Sequence, residues 1–286
     1  MKPLPFLNPA AGSPAVRNPG RPAVIVPTQA IDTEELTAES TAAAATGIVD
    51  AIEWRIDPLF AAFPGSALTR AEAALRLLPH ALRPGLPILL TVRTGFEGGQ
   101  VEITEDDYAE AVRALIAGVA DIEVAEATGS DAVDGTEADV ETGASGATVA
   151  VDVEIDRSES RSLIASAREA GVPVVASHHN FEATDSVGRL LATFAAMSEA
   201  GADVAKVAMM PQAPSDVLRL LEATAAADAS SEIPVIGISM GPSGRTSRIM
   251  GADFGSCATF AQIGQGSAPG QIDAVVLAEI LDRVTG

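Results

Sequence analysis

Lys206 is the residue of this chain best placed to do chemistry. It lies in ADVAKVAMM (202–210), an apolar run that reads as a buried strand, and it is one of only two lysines beside sixteen arginines. Burial disfavours an ammonium, and arginine cannot shed its proton. A lysine kept in such a strand therefore suggests a neutral amine that attacks a carbonyl and forms an imine. The plainer alternative is a strand-end lysine that reaches solvent or pairs with a carboxylate. The preceding apolar run, VPVVASHHN (172–180), ends in His178 and His179, two of the three histidines. Adjacent strand residues face opposite sides, so only one of them can share a pocket with Lys206. A histidine in that position suits proton transfer near neutral pH.

Other apolar runs also end in polar residues. Glu53, Arg55 and Asp57 alternate along GIVDAIEWRID (47–57) and so share a face. Arg93 closes PILLTVRT (87–94), and Glu97 follows in the loop GFEGG. Met240 ends IPVIGISM (233–240), and GPSGRTSRIMG then brings Arg248 to a short helix, where its fork could hold a carboxylate bidentately. That run lacks G-x-x-x-x-G-K-[ST], which argues against a nucleotide. Met240 and Phe260 are candidate pocket walls, with ordinary core as the alternative. A metal centre is not expected: adjacent histidines do not share a face, no H-E-x-x-H spacing occurs, and Cys257 is the single cysteine.

The elements that must position these residues follow from periodicity. Short Val/Ile-rich runs alternate with Ala/Leu/Glu-rich stretches that carry helix signals, such as Thr104 three residues before Asp107 and the stop at Gly171. Near-continuous apolar strands between helices indicate a parallel sheet covered on both faces. Eight such units in about 260 residues fit a (β/α)8 TIM barrel, an α/β fold whose sites lie at the C-terminal strand ends. No G-x-G-x-x-G follows the first strand, which weakens the dinucleotide-binding alternative. Residues 22–286 are thus expected to form one barrel domain, and residues 1–21, rich in Pro, Gly and Ala, a flexible leader. Residues 121–147 hold eight acidic and no basic residues and read as a solvated acidic insertion, although DIEVAEA at its start has strand potential.

Composition excludes several classes. The 286 residues include 18 Lys+Arg and 39 Asp+Glu, a formal net charge of -21. Such a surface does not bind nucleic acid nonspecifically and does not dock on anionic membranes. No run approaches the ~18 apolar residues of a span, and the N-terminus lacks a secretion-signal core, so a cytoplasmic protein is expected. Arginine in place of lysine, 3% aromatics and strong acidity suggest a halophilic, salt-in cytoplasm, where screening relieves self-repulsion.

Taken in order, the motifs resemble those of type I 3-dehydroquinate dehydratase, the Schiff-base enzyme of the shikimate pathway. They are E-W-R-x-D (Glu53 to Asp57), T-V-R-T-x-x-E-G-G (Thr91 to Gly99), S-x-H-x-F (Ser177 to Phe181) and the strand lysine Lys206. M-G-x-x-G-x-x-S-R-x-x-G-x-x-F-G-S-x-x-T-F (Met240 to Phe260) and S-A-P-G-Q-I (Ser267 to Ile272) complete the set. The resemblance implies an imine between Lys206 and the C3 ketone of 3-dehydroquinate, with no cofactor. It implies that His179, rather than His178, moves the protons and that Glu97 tunes it. It further implies that Arg248 clamps the substrate carboxylate, that Ser267 and Gln271 close a lid, and that Glu53, Arg55 and Arg93 hold the ring hydroxyls. A homodimer is implied as well. His178, Asn180, Ile238 and the acidic insertion depart from the family pattern. Another Schiff-base barrel lyase and a catalytically silent binding barrel are the competing readings.

Overall fold

A computed structural model describes residues 1–9, 12–128, 148–264 and 266–285, with side chains of 123–128 left aside. Eight parallel strands run β1 Ala23–Thr28, β2 Ala51–Arg55, β3 Ile88–Thr91, β4 Val149–Glu154, β5 Val174–Asn180, β6 Val204–Met209, β7 Val235–Ser239 and β8 Ala258–Gln262. All fall within or against the apolar runs expected to form them. The two-residue β9, Ile272–Asp273, adds to the outer end of β8. The helices are α1 Pro14–Arg17, α2 Thr33–Ala45, α3 Asp57–Ala62, α4 Ala67–Leu82, α5 Glu105–Thr128, α6 Ser160–Ala170, α7 Val187–Glu199, α8 Pro214–Ser230, α9 Arg245–Met250 and α10 Ala274–Thr285. No helix among the described residues is long and apolar enough to cross a membrane.

The sheet order β7-β6-β5-β4-β3-β2-β1-β8 curls the strands into a (β/α)8 barrel. Between β7 and β8 a single bridge, Val235 to Ser256, joins the ends at the N-terminal rim, with Cys257 N donating to Val235 O at 2.9 Å. Alternation sorts each strand's side chains into two cores. Val24, Ile52, Trp54, Leu90, Val151 and Val207 face the helices, while Ile25, Ala51, Leu89, Ala150, Val175 and Ile236 fill the barrel. A one-residue slip in any strand would exchange these sets, so the apolar pattern fixes the register.

Two expectations need correction. The leader is not free: Leu4 and Phe6, 3% and 2% exposed, enter the interior core and plug the N-terminal end of the barrel. The amino terminus and Lys2 pair with Asp228 of α8 at 3.2 and 2.9 Å. The small barrel residues Ala23, Ala51, Ala150 and Ala258 leave that end to be filled from outside, and Pro/Gly content alone did not reveal the apolar anchors. The start of the acidic segment is also no strand, because α5 runs on through it to Thr128. The rest of the insertion, 129–147, lies outside the described residues.

Candidate active site

The inward residues change character up the barrel. Below lie alanine, leucine and valine; above them come Glu53, Thr91, Asp152, Ser177 and Lys206, then Arg55, Arg93, Glu154 and His179. Lys206 on β6 reaches across the barrel to β2, where Nζ donates to Glu53 Oε1 at 3.1 Å. The ammonium stands 4.3 Å from the centroid of the Phe260 ring, a cation–π position. Burial alone would raise the Glu53 carboxyl, but Lys206, Arg55 and Arg93 outweigh it and hold the group below its ordinary range.

Arg93 organises the facing wall. Its Nη1 donates to Glu97 Oε2 at 2.9 Å, Glu154 Oε1 at 3.1 Å and Ser177 Oγ at 3.0 Å, and its Nη2 to Asp152 Oδ1 at 2.9 Å. So many carboxylates around a buried guanidinium raise its proton affinity against the cost of burial. Arg55 pairs bidentately with Asp57 at 2.7 and 2.9 Å. Asp152 and Glu154 are site residues that the sequence reading passed over. Their signal was available, since they alternate along the apolar run of β4 as Glu53 and Arg55 do along β2.

His179 faces inward one step above Lys206 on the adjacent strand, since Ser177 is the register partner of Lys206 and Ala208 that of His179. Its Nδ1 lies 2.8 Å from Glu97 Oε2. The Phe181 ring stacks on it at 6.5 Å between centroids. Burial, with the cations Arg93, Lys206 and Arg55, holds the imidazole well below its usual range, so it is a neutral base. Burial pushes the Glu97 carboxyl well up; Arg93 opposes this, while Glu154, Asp152 and Asp156 add to it. His178 points away and meets Asp156, Nδ1 to Oδ2 2.8 Å. Asn180 is no partner of His179; its Oδ1 accepts the backbone N–H groups of Glu182 and Ala183, closing a turn.

The short helix α9 fills the seam that β7 and β8 leave above their bridge. Ser247 Oγ accepts from Ser239 N on one side, and Thr259 Oγ1 donates to Arg248 O on the other. Arg248 is thereby carried inside, where its guanidinium donates to Phe260 O at 3.0 Å and Pro269 O at 3.2 Å. Its Nε has no hydrogen-bond partner, and no carboxylate pairs with it among the described residues. Burial draws its proton affinity down to about 10. A buried cation without a counter-charge is a receptor for an anion. Above it, the Ser267 N–H donates to Gln271 Oε1 at 2.8 Å and Gly241 N to Pro269 O at 3.0 Å, which folds residues 266–271 over the opening.

All eleven site residues proposed from the sequence, Lys206, His179, Glu97, Glu53, Arg55, Arg93, Arg248, Ser267, Gln271, Met240 and Phe260, line one cleft. Phe181, Ala208, Ile238 and Ala268 complete it. The cleft joins an amine, a neutral imidazole and an unpaired guanidinium, a set suited to proton abstraction beside a carbonyl on an anionic molecule. Glu97, Asp156 and His178 form the one described trio whose donor atoms all lie within 4.8 Å of one another. His178 and Asp156 touch at 2.8 Å, nearer than the about 3.3 Å that separates two ligands of a tetrahedral ion, and so meet directly rather than form a metal cage.

The chain matches the model of the type I 3-dehydroquinase family over residues 24–138 and 134–285. It is 36% identical over 247 residues to the 3-dehydroquinate dehydratase of Klebsiella pneumoniae, covering 83% of this chain and 85% of that one. Among solved structures it resembles the Geobacillus kaustophilus 3-dehydroquinate dehydratase, at a TM-score of 0.75 and 29% identity over 92% of this chain and 91% of the other. The Clostridium difficile type I enzyme, solved with covalently modified comenic acid, gives 0.72 and 29% over 93% of each chain.

Proposed function

This chain belongs to the type I 3-dehydroquinase family, and from that premise we propose a role for each residue of the cleft. The family's reaction is the removal of water from 3-dehydroquinate to give 3-dehydroshikimate, a lyase step of the shikimate pathway. In this reading Lys206 gives up its proton and its amine adds to the C3 ketone, water leaves and an imine forms. The imine is the electron sink, in place of a cofactor. His179 takes a proton from C2, the electron pair passes into the imine as an enamine, and it returns to form the C1–C2 double bond as the C1 hydroxyl departs. His179 returns its proton to that hydroxyl, which leaves as water. Hydrolysis of the imine then frees Lys206 and the enone.

Glu97 fixes the His179 ring through Nδ1. Arg248 holds the substrate carboxylate, Glu53, Arg55 and Arg93 the ring hydroxyls, and Met240 and Phe260 the apolar face. Ser267 and Gln271 close the lid and exclude water. One observation carries the reading: Lys206 and His179 occupy successive levels of neighbouring strands in a cleft that also holds the unpaired Arg248. The Clostridium difficile relative was solved with covalently modified comenic acid, which supports covalent chemistry in this cleft. The reading is tested by adding 3-dehydroquinate and following the absorbance of the conjugated product, which should appear without added metal or nucleotide. No product would end it. The same reading includes a cytoplasmic homodimer, checked by sedimentation against the 29.1 kDa of one chain.

A further inference from the structure

The two oxygens of Glu97 are treated unequally. Oε2 takes both Arg93 Nη1 and His179 Nδ1, at 2.9 and 2.8 Å. Oε1 is buried and completes no hydrogen bond. Among the described ion pairs of Glu97, only that with His178 addresses Oε1, with Nδ1 at 3.8 Å. His178 itself is nearly buried, and its Nδ1 lies 2.8 Å from Asp156 Oδ2, a contact that holds the Asp156 carboxyl below its ordinary range. A buried acceptor without a donor thus lies 3.8 Å from a ring nitrogen that Asp156 now holds, one side-chain adjustment apart. A lone unsatisfied carboxylate oxygen in such a place is unfavourable enough that a facing donor is drawn to it.

We propose that His178 is a positioning residue that turns its one Nδ1–H from Asp156 to Glu97 Oε1 and thereby fixes the tautomer of His179. The proposal rests on the reading above of His179 as the base. If Glu97 held a proton, it would donate to Nδ1, and the neutral ring would carry its hydrogen on Nε2, with no lone pair for the substrate. If Glu97 is a carboxylate, Nδ1 donates to it and Nε2 is free. Burial and the carboxylates Glu154, Asp152 and Asp156 favour the first state, and Arg93 opposes it. A second donor on Oε1 supports the second. The charged groups around His178 are Glu97 after β3, Asp156 and Arg157 after β4, and Arg189 on α7, the two arginines acting on Asp156. Only His178 is set between the two carboxylates.

The test compares His178→Ala with His178→Asn, whose amide nitrogen occupies the place of Nδ1. The alanine variant should lower kcat about tenfold, the effect of one charge-assisted hydrogen bond, with KM within about twofold. Its acid limb should move to higher pH, because Glu97 then loses its proton later. The asparagine variant should recover most of the kcat, and it answers the question alone if the alanine variant does not fold. Unchanged kcat and pH profile in His178→Ala, or an equal loss in a folded His178→Asn, overturns the proposal. Borohydride trapping on Lys206 in both variants separates the cases: failure to trap even in the unaltered protein refutes the underlying site reading instead.

Discussion

Lys206 and Glu53 face each other across the full width of the barrel, from β6 to β2, and meet at 3.1 Å. The pair ties the proposed nucleophile to the wall that carries Arg55, and each charge depends on the other for its burial. Lys206→Met should abolish turnover, by about 10⁴-fold or more. It should also lower stability by about 3 kcal/mol, since Glu53 loses its nearest counter-charge. Activity assays and urea unfolding check both, and an active variant contradicts the role.

The strands were legible from apolar runs that alternate with helices, and the upper ring of the barrel from period-two alternation. Glu53, Arg55, Arg93, His179 and Lys206 all appear at inward positions within or at the end of apolar runs. Asp152 and Glu154 obey the same rule and were missed, because no unusual residue type drew attention to VAVDVEID. Arg248 could be placed near the site but not explained, since its route runs through the unpaired seam between β7 and β8. The buried leader was hidden for another reason: two apolar side chains, Leu4 and Phe6, are too few to show a period.

Arg248→Lys keeps a charge but loses the fork. KM for 3-dehydroquinate should rise about 10- to 100-fold, or about 1.5–3 kcal/mol, with kcat changed less. Equal KM values would show that the substrate anion is held elsewhere.

The His179 ring should remain neutral through about pH 6.5, the ordinary histidine value, and take a proton only well below it. Lys206→Met removes one of the cations responsible, so the titration should then move upward. NMR of the ring carbons follows both; a resting titration at or above 6.5 contradicts the arrangement.

Gly270 holds a backbone φ of +79°, and a Cβ there would stand 2.2 Å from Gly241 O. Gly270→Ala should displace the lid and lower kcat/KM about tenfold while the barrel stays folded. Wild-type kinetics in this variant would show that the lid plays no part.

A chain of net charge -21 should gain thermal stability as KCl rises from low concentration toward 1 M, through screening of its own repulsion. A melting temperature that is flat or falls with KCl removes the salt-adapted reading of the composition.

With only two lysines, Lys2 and Lys206, the covalent step can be read without ambiguity. The protein is mixed with 3-dehydroquinate, reduced with borohydride, digested and mapped by mass spectrometry. A single reduced adduct on Lys206, with Lys2 unmodified, is the result the imine mechanism predicts. Product formation with no adduct on Lys206 would contradict it.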